Sequence, residues 1–252
     1  MSKTWRMEMG LTTKVFATGM LLGVCSWASA LPVLTVSAEG SAAAQAAQTA
    51  FLGSLQGGYL TEDFETGYTV ASGAQSAVIT STGIATFTRV VAGSGGACDN
   101  NGYSCANGLA VLDSSVSPFS GRFSIPTDAD NTNWLDSMDA REMSIGVDTG
   151  YNALGFFMTD PNDAGGRFDI GGLGFNFADI FGSSLGSGKQ FYISIYDADV
   201  STLASVSVFS NASGDGYGID QLTVGKVPEP GTLALLGLGL AGLGISRRRK
   251  HA

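Results

Sequence analysis

Carboxylate and amide side chains in glycine-rich turns are the residues of this sequence with the clearest capacity for chemistry. Asp160, Asn162 and Asp163 occupy one turn segment, and their oxygens suit a hard cation such as calcium. A second run of this kind spans residues 128–131. The twelve residues from Asp160 end at Gly171 and not at the glutamate of an EF-hand. Turn formation by Asp and Asn without any metal is therefore the favoured alternative.

Only one histidine is available for catalytic chemistry. The single histidine is His251, so residues 31–230 cannot form a Ser-His-Asp triad, a Cys-His dyad or a histidine-ligated metal site. A glycosidase needs two carboxyl groups roughly 5 to 10 Å apart. The sequence offers many carboxylates but singles out no such pair, and we expect no enzymatic activity.

Trp134 is the one tryptophan between residues 31 and 230, and it lies in a polar stretch. If exposed beside Asn133 and Asp136, its ring would suit a glycan ligand. If buried, it would be a core anchor, and this alternative is favoured.

Two cysteines, Cys98 and Cys105, flank a turn-rich stretch, whereas Cys25 lies in an amino-terminal segment that is expected to be removed. An even pair in an oxidising compartment predicts a disulfide that closes an eight-residue loop. Such a bond would stabilise the fold by roughly 2 to 3 kcal/mol. A reactive or metal-binding pair is the alternative, but this spacing fits no common zinc site.

The elements that must position these residues are short strands. The 36 glycines, the small charged fraction of 14% and the short runs rich in Val, Thr, Phe and Tyr predict a mainly β fold, an antiparallel β-sandwich. An Ala- and Gln-rich stretch, residues 38–55, predicts one short amphipathic helix, with a flexible leader as the alternative. A further short helix is expected at residues 177–181. Strands are predicted at residues 59–64, 68–71, 77–80, 84–91, 109–112, 122–125, 143–147, 153–159, 167–170, 190–196, 204–209 and 218–224.

The amino-terminal residues carry an export signal. Basic residues at the start, an apolar run at residues 15–27 and the Ala28-Ser29-Ala30 site indicate a secretory signal peptide that is cut after Ala30. The expected organisation is a signal helix at 1–30, an Ala-rich leader at 31–58, the sandwich at 59–226 and a tail at 227–252. The Sec-type export machinery is therefore an expected partner.

The tail is built as a thin membrane anchor. Pro228 and Pro230 restrict the backbone before them to extended conformations. The apolar run at residues 233–245 would span roughly 20 Å as a helix, against roughly 30 Å for a bilayer core. A basic cluster holds its far end in the cytoplasm. These basic residues are Arg247, Arg248, Arg249 and Lys250.

The order of these features resembles a known family. Val227, Pro228, Glu229, Pro230 and Gly231, followed by a Gly-rich apolar helix and a basic end, resemble the PEP-CTERM sorting signal of Gram-negative bacteria. The resemblance implies recognition by an exosortase, a membrane-embedded, cysteine transpeptidase-like enzyme that removes the tail near this motif. An ordinary tail anchor with a proline hinge is the alternative. Segments at 64–66, 156–166 and 215–225 are also similar to jelly-roll domains of PEP-CTERM proteins.

Charge restricts the partners of the exported part. Three of the 13 Lys and Arg residues precede residue 31 and four follow residue 246, while only Glu8 of the 22 acidic residues precedes residue 31. Residues 31–230 therefore carry a net charge of −15, which disfavours nucleic acid and anionic lipid as partners.

Together these features predict a non-enzymatic exported protein that is anchored transiently in the inner membrane and then sorted to the cell surface or extracellular matrix. The family resemblance implies a link to exopolysaccharide or biofilm. A calcium-dependent carbohydrate-binding module is the alternative function, and a carboxylate-based glycosidase is the third.

Overall fold

The structure is a computed structural model that describes residues 31–70, 75–93, 108–113, 121–126, 130–161, 165–182, 186–197, 203–211 and 214–228. The elements of the first half are β1 (Val33–Val36), α1 (Ser41–Ser54), β2 (Gln56–Glu62), β3 (Ala77–Ile79), β4 (Ala85–Val91), β5 (Ala110–Asp113) and β6 (Asn133–Asp136). They continue with β7 (Glu142–Val147), β8 (Ala153–Thr159), β9 (Gly166–Ile170), β10 (Leu173–Asn176), α2 (Phe177–Ile180), β11 (Gln190–Tyr196), β12 (Val206–Ser210) and β13 (Gly218–Lys226).

The described strands pair into two antiparallel sheets. Sheet I has the order β1-β11-β8-β13-β6-β5, and β2 also pairs with β13. Sheet II has the order β10-β9-β12-β7-β4-β3. The predicted mainly β, antiparallel sandwich is confirmed at this level.

The core lies between the two sheets and follows from alternation along the strands. On β8, Leu154, Phe156 and Met158 face this core, and Phe156 packs on Phe168 of sheet II with ring centroids 6.3 Å apart. The other β8 face carries Ala153 and Phe157, which belong to a second apolar cluster on the outer side of sheet I. Because both faces of β8 are covered, every residue of this strand is buried.

Helix α1 packs on the outer face of sheet I. It begins after Gly40, whose φ of 106° suits glycine, and Phe51 on its buried side lies 5.8 Å from the Tyr192 ring. Tyr192 in turn packs edge-on against Phe157 at 5.0 Å. The helix predicted within residues 38–55 is thus present. The segment expected as a leader also contributes β1, which pairs with β11.

Two predicted strands are wrong where the structure describes them. Residues 68–70 form no strand. The chain bends at residues 64–67, where Phe64 and Gly67 have positive φ, and the Tyr68 side chain then packs on Phe64 and accepts the Ser81 N–H at 2.7 Å. Residues 122–125 form no strand either. The Ile125 N–H donates to the Asp220 carboxylate at 2.7 Å, where a strand would donate to a neighbouring backbone.

No helix within the described residues is long and apolar enough to cross a membrane. The predicted signal peptide at 1–30 and the apolar run at 233–245 lie outside the described residues.

Candidate functional site: the junction between the last strand and the tail

Strand β13 connects the centre of sheet I directly to the tail. One edge pairs with β8 at residues 218–220 and 223–225, while the other edge pairs first with β6 and then with β2. The register with β2 ends at Lys226 opposite Gln56. The sandwich is therefore folded up to the residue that precedes the Val-Pro-Glu-Pro sequence.

Asn152, just before β8, holds the first residue beyond the strand. Its side-chain Nδ2 donates to the Val227 carbonyl at 2.8 Å, and its Oδ1 accepts the Val227 N–H at 2.7 Å. Its backbone N–H donates to the Gly225 carbonyl at 3.2 Å, and its own carbonyl accepts the Asp197 N–H. The amide thus imitates a neighbouring strand and continues the pairing of β13 by one residue. We call this arrangement the Asn152 latch.

The latch is at the end of an apolar groove on the outer face of sheet I. Val227 lines this groove together with Phe51 of α1, Val33 of β1 and Tyr192 and Tyr196 of β11, and the cavity measures about 330 Å³. Val227 is half-buried and packs against the cluster beneath α1. The Tyr192 side chain is almost fully buried, and this burial raises the pKa of its hydroxyl. Packing and hydrogen bonds therefore both fix Val227.

A buried ion pair lies on the same face of sheet I, near the start of β13. The Arg122 guanidinium contacts Asp136 Oδ1 at 2.8 Å and donates to the Met138 carbonyl at 2.7 Å. Asp136 also accepts the Trp134 indole N–H at 3.1 Å and the Met138 N–H at 2.7 Å. Burial raises the pKa of Asp136 above its ordinary value of 3.8, while the nearby Arg122 charge opposes that rise.

A second buried carboxylate, Asp220, lies on β13 itself. It accepts the N–H of Ile125, a side-chain N–H of Asn131 at 3.1 Å and the N–H of Gln221 at 2.7 Å. Burial raises the pKa of Asp220 well above 3.8, its hydrogen bonds lower it, and the charge of Glu65 raises it again. Both carboxylates are therefore engaged in tying loops to strands.

The predicted ligand role of Trp134 is wrong. Its side chain is only 3% exposed and its indole donates to Asp136, so no ring face is free to stack on a sugar. Trp134 is buried in the structure, as the favoured alternative expected.

The predicted calcium ligands are only partly described. Asp160 is 3% exposed, and its carboxylate accepts the Gly188 N–H at 3.1 Å. Asn162 and Asp163 lie outside the described residues, as do residues 128 and 129 of the second run. Among the residues that are described, no three His, Cys, Asp or Glu side chains cluster in a way that could hold a metal ion.

Most of the other predicted sites also lie outside the described residues. They are the cleavage site at Ala28 and Ala30, the cysteines Cys98 and Cys105, the motif residues Glu229, Pro230 and Gly231, and the basic cluster from Arg247 to Lys250. The cleavage and the disulfide stay predictions. Val227 and Pro228 are described, and the structure brings Val227 to Asn152.

The latch was missed by the sequence reasoning, because Asn152 and Val227 are 75 positions apart. Asn152 follows Asp148-Thr149-Gly150 and reads as one more turn residue. Only the antiparallel pairing of β8 with β13 brings it to the tail. No local signal in the sequence indicates this role.

Fold and junction together define a β-sandwich whose central strand continues into a carboxy-terminal processing signal. Residues 226–250 match the family described as the PEP-CTERM protein-sorting motif. No curated protein and no solved structure matches the chain. The chain carries a PEP-CTERM motif, and this motif indicates an exported protein that is sorted by an exosortase.

Proposed function

We propose that the sorted product is a non-catalytic protein of the cell surface or extracellular matrix, associated with exopolysaccharide. The observation that carries this proposal is the direct continuation of β13 into the sorting motif through the Asn152 latch. Removal of the tail beyond this point would leave both sheets intact. The released product is then the whole sandwich, which would act through its surface.

The use of the buried carboxylates supports the absence of catalysis. Glu62 is fully buried and accepts hydrogen bonds from Phe64, Ser81 and Thr82. Asp136 and Asp220 are satisfied in the same way by neighbouring donors. A glycosidase acid or nucleophile must reach a substrate from the wall of a cleft. Glu62, Asp136 and Asp220 are held within the fold and are not available to a substrate, which lowers the support for a glycosidase built on these three carboxylates.

The alternative function, a calcium-dependent carbohydrate-binding module, has less support, because Trp134, the aromatic side chain proposed to stack on the sugar, is buried. Its proposed cation ligand Asp160 is also buried and bonded to Gly188. A matrix protein needs neither feature. The jelly-roll assignment and the predicted disulfide fit a small secreted sandwich and stay part of the proposal.

Fractionation of native cells tests the location, and calorimetry tests the role. We expect the processed protein in the surface or matrix fraction, with weak binding to the exopolysaccharide of the same cells and no heat on addition of calcium. A tight calcium signal that strengthens glycan binding would favour the carbohydrate-binding module. Turnover of a polysaccharide by the purified protein would overturn the non-catalytic proposal.

A further inference from the structure

We propose that Asn152 is a positioning residue for tail processing, which masks Val227 and confines the exosortase to the residues beyond it. This inference rests on the sorting of the chain by an exosortase. It concerns how the folded body controls that step and does not depend on the function of the body after release.

The start of the sorting motif offers few backbone hydrogen-bond donors. An enzyme that binds an extended peptide commonly pairs with its backbone N–H and C=O groups, as an added strand does. Pro228 and Pro230 have no N–H. Within residues 227–230 the donors are therefore the amides of Val227 and Glu229 alone.

The latch takes one of these two donors. Val227 donates its N–H to Asn152 Oδ1 at 2.7 Å, and its carbonyl accepts from Asn152 Nδ2 at 2.8 Å. Asn152 is only 9% exposed, so water competes poorly for either bond. While the latch is closed, the Val227 N–H is not available to an enzyme, and the Val227 carbonyl already accepts one hydrogen bond.

The chain between the latch and the apolar run is also short. Five residues, 228–232, separate the latch from the apolar run that begins at Leu233. Fully extended, they reach at most roughly 17 Å. An enzyme embedded in the membrane therefore has at most these five residues of peptide between the latch and the apolar run. Opening of the latch adds Val227 to this peptide and gives the enzyme a second donor.

Three full-length variants test the role of Asn152. Asn152→Ala removes both side-chain bonds, while Asn152→Asp keeps an acceptor for the Val227 N–H and loses the donor to its carbonyl. Asn133→Ala is the matched control. Asn133 lies in β6, away from the tail, and its side-chain amide is similarly buried, at 6% exposure, and donates to the Phe64 carbonyl.

The first readout is hydrogen exchange of full-length protein, purified in detergent from a host without exosortase. We expect the Val227 amide of Asn152→Ala to exchange about tenfold faster than in the wild type, because two buried hydrogen bonds are lost. Amides of β8 and β11 should keep their protection. Asn152→Asp should fall between the two, and Asn133→Ala should leave Val227 unchanged.

The second readout is tail removal in a host that contains the exosortase, followed by pulse-chase and intact mass. We expect Asn152→Ala to shorten the half-time of processing at least about threefold and to add product ends before residue 228. A half-time and a product end identical to the wild type, or the same change in Asn133→Ala, would overturn the role of Asn152. Failure of every form to be processed, wild type included, would instead overturn exosortase sorting itself.

Discussion

The two halves of β13 are held in different ways. Residues 218–221 lie among buried polar groups: Asp220 accepts three hydrogen bonds, and the Arg122–Asp136 pair lies beside Gly218, whose register partner is Asp136. Residues 222–226 pair with β2, with a register shift before Lys226, and residues 223–225 also pair with β8. Leu222 and Val224 fill the core between the sheets. A register shift after Asp220, with Gln221 at a φ of 50°, separates the halves.

Because its two halves are held differently, one strand can both anchor the fold and release the tail. Charges buried in the first half are costly to leave without a partner, so loss of any member is severe. The second half depends on apolar burial, and Val227, the residue after the strand, is held by the Asn152 side-chain amide. Local opening is therefore cheapest at the end where processing occurs.

The largest expected effect is the loss of the buried ion pair. Arg122→Met leaves the Asp136 carboxylate, which is fully buried, without its positive partner. We expect the free energy of unfolding in urea to fall by about 3 kcal/mol. The control is Lys189→Met, which breaks the exposed Lys189–Glu39 pair at 3.6 Å and should cost under about 1 kcal/mol. Equal effects of the two changes would show that the buried pair at the first half of β13 is no more important than an exposed pair.

The next effect concerns the packing of α1 on sheet I. A Cβ at Gly155 would come within 2.3 Å of the Tyr192 hydroxyl and 2.7 Å of the Phe51 ring. Gly155→Ala should therefore destabilise the protein by about 1 to 3 kcal/mol in thermal or urea unfolding. Gly53→Ala, on α1 with no atom within 4 Å of the added methyl group, should stabilise it by about 0.5 to 1 kcal/mol. A neutral Gly155→Ala would mean that the helix is not packed as described.

A smaller effect is the pH dependence that Asp220 contributes. Burial raises its pKa in the folded protein, so the folded state keeps the proton over a pH range in which the unfolded chain has already lost it. The contribution of Asp220 to stability therefore falls as pH rises above its ordinary value of 3.8. We expect the stability difference between wild type and Asp220→Asn to shrink from about pH 4 to pH 7. A difference that grows over this range would show that the Asp220 carboxylate is stabilised as an anion.

The smallest global effect is expected at the latch. Asn152→Ala should change the free energy of unfolding by about 1 kcal/mol, because Val227 is the last residue that the sandwich holds. The faster exchange should be confined to Val227, while the amides of β8 and β11 keep their protection. A loss of several kcal/mol with uniform exchange across sheet I would make Asn152 an ordinary core residue.

How far the sequence predicts the fold depends on where the strand partners lie. The bounds of β8 and β11 follow from the sequence, because their apolar runs and alternation are local properties. Strand β6 was missed since Asn133, Trp134 and Asp136 look polar or exposed in sequence. Its polar groups are satisfied by distant partners, such as Glu65 for the Asn133 N–H and Arg122 for Asp136.

The sorting motif could be predicted because it is a linear signal of proline, apolar and basic residues in a fixed order. The latch could not, since it requires the register of β13 against β8. For the same reason, the sequence left a surface-ligand role for Trp134 and Asp160 open as an alternative, and only tertiary packing shows that both are buried.

Intact mass of the protein recovered from the surface of its native cells tests the central account most directly. The account predicts a product that begins after Ala30, retains the sandwich through Lys226 and lacks the basic residues Arg247 to Lys250. Recovery of chains that still carry these four residues in the surface fraction would contradict it.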